Sequence, residues 1–166
     1  MPGMKEYVRY GAQGICRIED LRYIKLAGGA GHQYYVLRPL YQPTAEIFVP
    51  MDNPKLVSRM RPILSPEEID QTIQRSADRR MMWIPDHRRR AEVFQGVLAR
   101  HDTEELLQLA RCLYDRTQES GKSLTSRDAQ ILKEVETIIE REFAFSLHIG
   151  GEAVGHYIRK KLRLEA

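Results

Sequence analysis

The residues best suited to recognise a partner lie in one stretch, Ser76-Ala77-Asp78-Arg79-Arg80-Met81-Met82-Trp83-Ile84-Pro85-Asp86-His87-Arg88-Arg89-Arg90. It holds the only tryptophan of the chain, set between two arginine groups, and Pro85 interrupts regular structure beside it. Guanidinium groups bind phosphate through charge and paired hydrogen bonds. An exposed indole can stack on an unpaired base or wedge against a base step in the minor groove. The alternative is that Met82, Trp83 and Ile84 plug the space between helices, because large aromatic side chains are highly buried on average. Residue type alone leaves both open.

A second candidate is Ile47-Phe48-Val49-Pro50, which carries apolar side chains on both faces although a small barrel buries only one. An exposed Phe48, or an exposed strand edge, would offer a partner a surface for β-augmentation. Phe48 could equally cover a barrel end. Arg9, Arg17, Lys25 and Arg38 could rim such a surface or simply keep it hydrated.

Enzyme chemistry has no comparable footing. His32, His87, His101, His148 and His156 are dispersed without metal-ligand spacing. Cys112 lies between Leu109 and Leu113 on an apolar helix face, as a buried structural thiol would. Gly28-Gly29-Ala30-Gly31 lacks the Lys-Ser/Thr of a phosphate loop and precedes a strand, so it is a hairpin turn. The carboxylates lie at helix caps or beside basic residues, which solvated charge explains. No catalytic residue, metal or cofactor is expected.

The elements that must position these residues fall into two kinds. Glu6–Tyr10, Ile15–Leu21, Gln33–Arg38 and Glu46–Pro50 alternate or run apolar between turns, and 57–63 could add a last strand. Four or five short strands in about 60 residues suggest a small SH3-like antiparallel barrel. At Ser65-Pro66-Glu67-Glu68 the pattern changes to a capping box with proline at the first helical position. Ile69 and Ile73 then mark a helix face. Asp86 is a candidate cap for a helix over His87–Arg100. Asp102 opens another bearing Leu106, Leu109, Ala110 and Leu113, expected to end at Gly121. Thr125 opens a longer helix through Ile131, Val135, Ile139, Phe143 and Leu147, stopped at Gly150-Gly151, and a last short helix reaches Leu162. The class expected is α+β, with domains at 1–62 and 63–166, the second a bundle of about five helices.

Composition agrees with this division. With 42% hydrophobic and 30% charged residues the chain reads as globular and soluble, not disordered. No run of about 18 apolar residues predicts a membrane span, and Met1–Lys5 lacks the apolar core of a secretory signal. Two cysteines are too few for a disulfide framework, so reduced thiols in the cytoplasm are expected. Residues 61–166 carry 18 basic and 18 acidic side chains. Within that balance Arg75, Arg79, Arg80, Arg88, Arg89 and Arg90 face only Asp78 and Asp86. A local surplus of this kind suggests an anionic partner at one place or a solvated helix face.

Val8-Arg9-Tyr10-Gly11-Ala12-Gln13-Gly14 before an Ile-rich strand, Tyr34-Tyr35-Val36-Leu37, Ile47-Phe48-Val49-Pro50, and Trp83 leading into Arg88-Arg89-Arg90 resemble the CarD/CdnL family of bacterial RNA-polymerase-binding transcription regulators. The β-part also resembles the polymerase-interacting domain of the transcription-repair coupling factor. The resemblance implies a Tudor-like N-terminal domain that binds the lobe of the polymerase β subunit, with Lys25, Arg38, Glu46, Ile47, Phe48, Val49 and Pro50 as the expected contacts. It implies a helical domain that contacts promoter DNA near the upstream edge of the bubble, at the minor groove and backbone and without sequence specificity. Arg79, Arg80, Trp83, Arg88, Arg89 and Arg90 are then the expected DNA contacts, and Trp83 shifts from plug to contact. Some members carry an arginine just before the Val-Pro pair, where this chain has Phe48, so backbone pairing and apolar contact are expected to replace it. Two extra residues separate Trp83 from the arginine cluster. The implied protein is a cytoplasmic, nucleoid-associated monomer that stabilises the open complex. The competing reading is a protein–protein adaptor whose helical half binds a second protein.

Overall fold

A computed structural model describes residues 4, 6–25, 27–119, 121 and 123–164. Most of the N-terminal stretch read above for a secretory signal, residues 1–3 and 5, lies outside them. The chain divides into two compact units, Met1–Ile63 and Leu64–Ala166, and its class is α+β.

The first unit contains strands β1 (Tyr7–Tyr10), β2 (Ile15–Lys25), β3 (Gly31–Pro39) and β4 (Ile47–Pro50), a one-turn helix α1 (Pro54–Val57) and strand β5 (Met60–Pro62). All pairings are antiparallel and the order is β4-β3-β2-β1-β5, so β4 and β5 are the two edges. Gly14, at φ +69 and ψ −140, lets the chain reverse between β1 and β2 in a backbone region essentially reserved for glycine. Val8, Cys16, Ile18, Tyr35, Leu37, Val49 and Met60 form one buried cluster, and Leu56 and Val57 of α1 pack against it. Every strand contributes to that cluster, so the sheet presents a single apolar face to it.

Two expectations are corrected here. The segment 57–63 is not one strand: its start belongs to α1, capped by the Asn53 side chain, and only Met60–Pro62 pairs, with β1. Strand β2 continues four residues past Leu21. Beyond the flanking strands it pairs only with β3, and Leu21 and Tyr23 are exposed there. Lacking a buried face, this end carries no periodic signal.

The second unit holds helices α2 (Pro66–Asp78), α3 (His87–Arg100), α4 (Thr103–Gln118), α5 (Ser126–Leu147) and α6 (Gly151–Leu164). The capping box at Ser65 forms: its hydroxyl accepts from the Glu68 amide at 3.1 Å, and Glu68 accepts from the Ser65 amide at 3.0 Å. Asp102 and Thr125 cap α4 and α5 through the amides of Glu105 and Asp128. Asp86 does not cap α3 with its carboxylate; only its carbonyl takes part, accepting from the Arg90 amide at 2.9 Å. Helix α4 stops at Gln118, where Glu119 turns extended, and not at Gly121. Helices α3 and α5 end on His101 and His148 at φ 51 and 57, left-handed positions that cost a non-glycine residue about 1 kcal/mol. Ile69, Ile73, Phe94, Val97, Leu109, Leu113, Val135, Phe143 and Val154 are among the buried residues that join the five helices in one core.

Candidate functional site

The segment 79–86 links α2 to α3 and belongs to neither. Its backbone leaves α2 extended at Arg79 (φ −129, ψ 106), and Pro85 holds Ile84 out of the helical region. Met81 and Trp83 pack partly buried against the helical core. Between them Met82 is 80% exposed.

The segment is held by an arginine that residue counting had placed on the surface. Arg90 is 3% exposed. Its Nε and Nη2 lie 3.1 and 3.0 Å from Oδ2 of the buried Asp128. Its Nη1 donates to the carbonyls of Ile84, at 2.8 Å, and Pro85, at 3.3 Å. Nη2 also lies 2.9 Å from His87 Nδ1. The guanidinium carbons of Arg90 and Arg116 sit 4.5 and 4.4 Å from the centroid of the Trp83 ring, a cation–π arrangement worth about 2 kcal/mol where water is excluded. Asp128 is at the third position of α5, where the helix dipole favours a carboxylate. One buried guanidinium thus ties the segment, the start of α3 and the start of α5 together.

The expected DNA-contact set therefore divides. Arg90 is corrected out of it, since a side chain this buried and this fully partnered cannot reach phosphate. Trp83 is half-buried, and two guanidinium groups already engage its ring. Arg79, Arg80, Arg88 and Arg89 are exposed, and none pairs with a carboxylate among the described residues. Arg75, by contrast, is bound to Glu104 at 2.8 Å. A cleft of about 620 Å³ beside the starts of α3 and α5 is lined by His87, Arg88, Gln95, Arg127 and Asp128 among others. It brings Arg127, which the sequence reading passed over, alongside Arg88.

In the first unit the expected contact residues also separate. Val49 is completely buried and offers a partner no side chain, while Ile47 is partly buried and packs on the core. Arg38 spans Glu46, at 3.3 Å, and Glu19, at 3.6 Å; these charges satisfy each other. Lys25 is exposed at the far end of β2. Phe48 is 42% exposed, edge-on to Tyr34 with ring centroids 6.3 Å apart, and the Arg22 guanidinium carbon lies 5.8 Å from its ring centre. Arg22 and Tyr34 were not singled out in the sequence. Both face Phe48 because their cross-strand registers place them on the same side of the sheet.

Edge strand β4 has a defined polarity. The Met51 amide donates to the Gln33 carbonyl at 2.9 Å. Antiparallel ladders alternate with period two, so Val49 and Ile47 turn their backbone groups toward β3 and Phe48 turns its N–H and C=O outward. Pro50 has no N–H and ends the edge.

Residues 4–64 match the family model described as CarD-like/TRCF RID domain. The N-terminal unit is similar to CarD-like/TRCF RID domains. No curated protein matches the chain significantly. The match to the RID domain stops where the helices begin, so the arginine-bordered segment rests on its own geometry. Among the described residues no helix is long and apolar enough to cross a membrane, and no three His, Cys, Asp or Glu side chains are grouped to hold a metal ion. Cys16 is fully buried, which pushes its thiol up to about 11. Cys112 is only partly buried, against expectation, and that burial raises its thiol.

Proposed function

We propose that the chain is a transcription regulator that docks on the RNA polymerase β subunit through β4 and contacts promoter DNA through the segment after α2. What carries the reading is the presence on one chain of a unit similar to RID domains with a strand edge at β4, and of a segment anchored by Arg90 and bordered in sequence by exposed arginines that pair with no carboxylate among the described residues. A strand of the polymerase β subunit pairs with the outward N–H and C=O of Phe48 and covers the Phe48 ring. Arg79, Arg80, Arg88 and Arg89 meet backbone phosphates near the upstream edge of the bubble, which carries no sequence information. Arg127 joins them from the cleft it shares with Arg88.

Docking raises the local concentration of the helical unit at the promoter, so a weak DNA contact suffices. A factor that binds the open complex better than the closed one shifts that equilibrium by its differential affinity and no more. A preference of about 1.4 kcal/mol changes the ratio tenfold. The regulator acts as a monomer in the cytoplasm, at the nucleoid, wherever polymerase is. The competing adaptor reading draws on an apolar groove of about 410 Å³ lined by Leu107, Tyr114, Leu132, Ile139, Ile158 and Leu162, where a second protein would seat.

Duplex DNA titrated at several salt concentrations separates the two. The DNA reading expects log Kd to vary with log salt, and each arginine removed to lower the slope by about 1. Arg88→Ala should do so while Arg75→Ala, already paired, should not. Binding absent even at low ionic strength would leave the adaptor.

A further inference from the structure

The groove of about 410 Å³ in the second unit is walled by α4, α5 and α6. Its apolar floor comes from Leu107 of α4, Leu132 and Ile139 of α5, and Ile158 and Leu162 of α6. The charges around that floor are sorted by sign. Helix α5 brings Glu136 and Glu140 to the groove one turn apart, and α6 brings Arg159 and Arg163 at the same spacing. None of these four forms an ion pair among the described residues. The two charges that α4 contributes, Arg111 and Asp115, lie 3.8 Å apart and neutralise each other.

An acidic row and a basic row thus border one apolar groove without bridging it. Like charges four residues apart disfavour the helix that carries them. Desolvation, and then the charge of Glu140, raise the Glu136 carboxyl above its ordinary range, as happens to a carboxylate that lacks a cation. Gly155 adds a separate sign. It lies within α6 on the groove wall, where glycine is the least favourable residue after proline. The nearest atoms that a Cβ would meet there belong to the flexible tip of Arg159, with Nη1 at 3.1 Å. Packing inside the bundle therefore does not require a glycine at this place, and its missing side chain leaves the groove open. Tyr114, 51% exposed, stands at the rim, as aromatic anchors of protein interfaces do.

We propose that this groove receives an amphipathic helix of a partner protein, whose apolar ridge lies on the floor, whose basic flank meets Glu136 and Glu140, and whose acidic flank meets Arg159 and Arg163. The two-charge repeat on each wall matches charges at i and i+4 along a helix flank, and it needs a ligand longer than one turn. The adaptor reading seats a second protein here in place of DNA. The charge rows specify what that protein presents, and none of their residues is among the arginines offered to DNA, so the two contacts use different side chains.

The test uses the full chain and three stapled, fluorescein-labelled synthetic helices that share one leucine ridge. One carries lysine on one flank and glutamate on the other, one carries lysine on both, and one glutamate on both. Fluorescence anisotropy at low salt gives each Kd. The wild-type chain should bind the mixed helix about tenfold more tightly than either of the others, whichever way round the helix lies. Arg159→Glu with Arg163→Glu makes both walls acidic and should transfer the preference to the all-lysine helix. Gly155→Leu fills the groove and should lose about tenfold on the mixed helix. Its urea midpoint should be no lower than that of wild type, because leucine is the better helix former, and its duplex affinity should be unchanged. Equal affinity for the three helices, a preference that the charge reversal leaves in place, or a folded Gly155→Leu chain that binds as wild type does would overturn the proposal. Sedimentation velocity of the same chains covers the other occupant: a dimer that Gly155→Leu dissociates would give the groove to a second copy and overturn the proposal as well.

Discussion

Replacing Arg90 by methionine removes a guanidinium that meets the buried Asp128 carboxylate at 3.0 and 3.1 Å and two backbone carbonyls of the segment before α3. The side chains of the pair are 4% and 5% exposed, so water does not take over. Breaking one partner of such a pair costs about 3–5 kcal/mol, because a charge is left without compensation. The start of α5 softens this, since its dipole favours the stranded carboxylate by about 0.5–1 kcal/mol, and the lower end, about 3 kcal/mol, is expected. Urea unfolding followed by the emission of Trp83 reads the helical unit alone, as that unit holds the only tryptophan. At about 1.5–3 kcal/mol per molar urea the midpoint should fall by about 1–2 M. Salt should change the loss little, because buried pairs are weakly screened. Adding Asp128→Leu should recover most of it, because the orphaned charge, and not the missing bond, is the main penalty. A loss below about 1 kcal/mol, or no recovery in the double variant, would refute the view of Arg90 as a buried anchor.

Phe48→Pro deletes the outward amide of β4 without touching an amide that β3 uses, so the sheet should persist while affinity for the polymerase β lobe falls at least tenfold. Phe48→Ala should cost less, and equal losses would favour side-chain contact over strand pairing; biolayer interferometry with the purified lobe measures both. Burial and the hydrogen bond to Asp70 push the Tyr157 phenol up to about 12. The neutral phenol is the folded form, so this contribution is full below pH 10 and is lost as pH rises from 10 toward 12. Phenolate absorbance should show one late-titrating tyrosine that Tyr157→Phe removes.

Much of this was legible in the sequence wherever one residue determines one local geometry. Ser65-Pro66-Glu67-Glu68 and Thr125 cap helices because hydroxyl oxygens reach the third amide irrespective of what packs later. The arginine cluster was readable as charge but not as individual roles. Arg90 falls at the helical phase of Phe94 and Val97, all three buried, and Asp128 at the phase of Ile131 and Val135. A charged residue on each of two apolar stripes was the signal for a buried ion pair, and counting net charge hid it. The burial of Met81 and Trp83 likewise separates exposed Met82 from its neighbours, but only the packing reveals which of the three face the core. The outer end of the β2–β3 hairpin, where Leu21 and Tyr23 are exposed, has no one-sided burial and so left no pattern to read.

The claim on which the account depends is that one chain joins polymerase to promoter DNA through β4 and through the segment around Met82 and Trp83. Its most direct test is the lifetime of the open complex on a weak promoter after competitor challenge, with wild-type chain, Phe48→Pro, or Trp83→Ala. The wild-type chain should lengthen the lifetime. Phe48→Pro should lose that effect by failing to dock, and Trp83→Ala should lose it while still binding the polymerase β lobe. A lifetime that the wild-type chain leaves unchanged, or that Trp83→Ala extends as fully as wild type, would contradict the account.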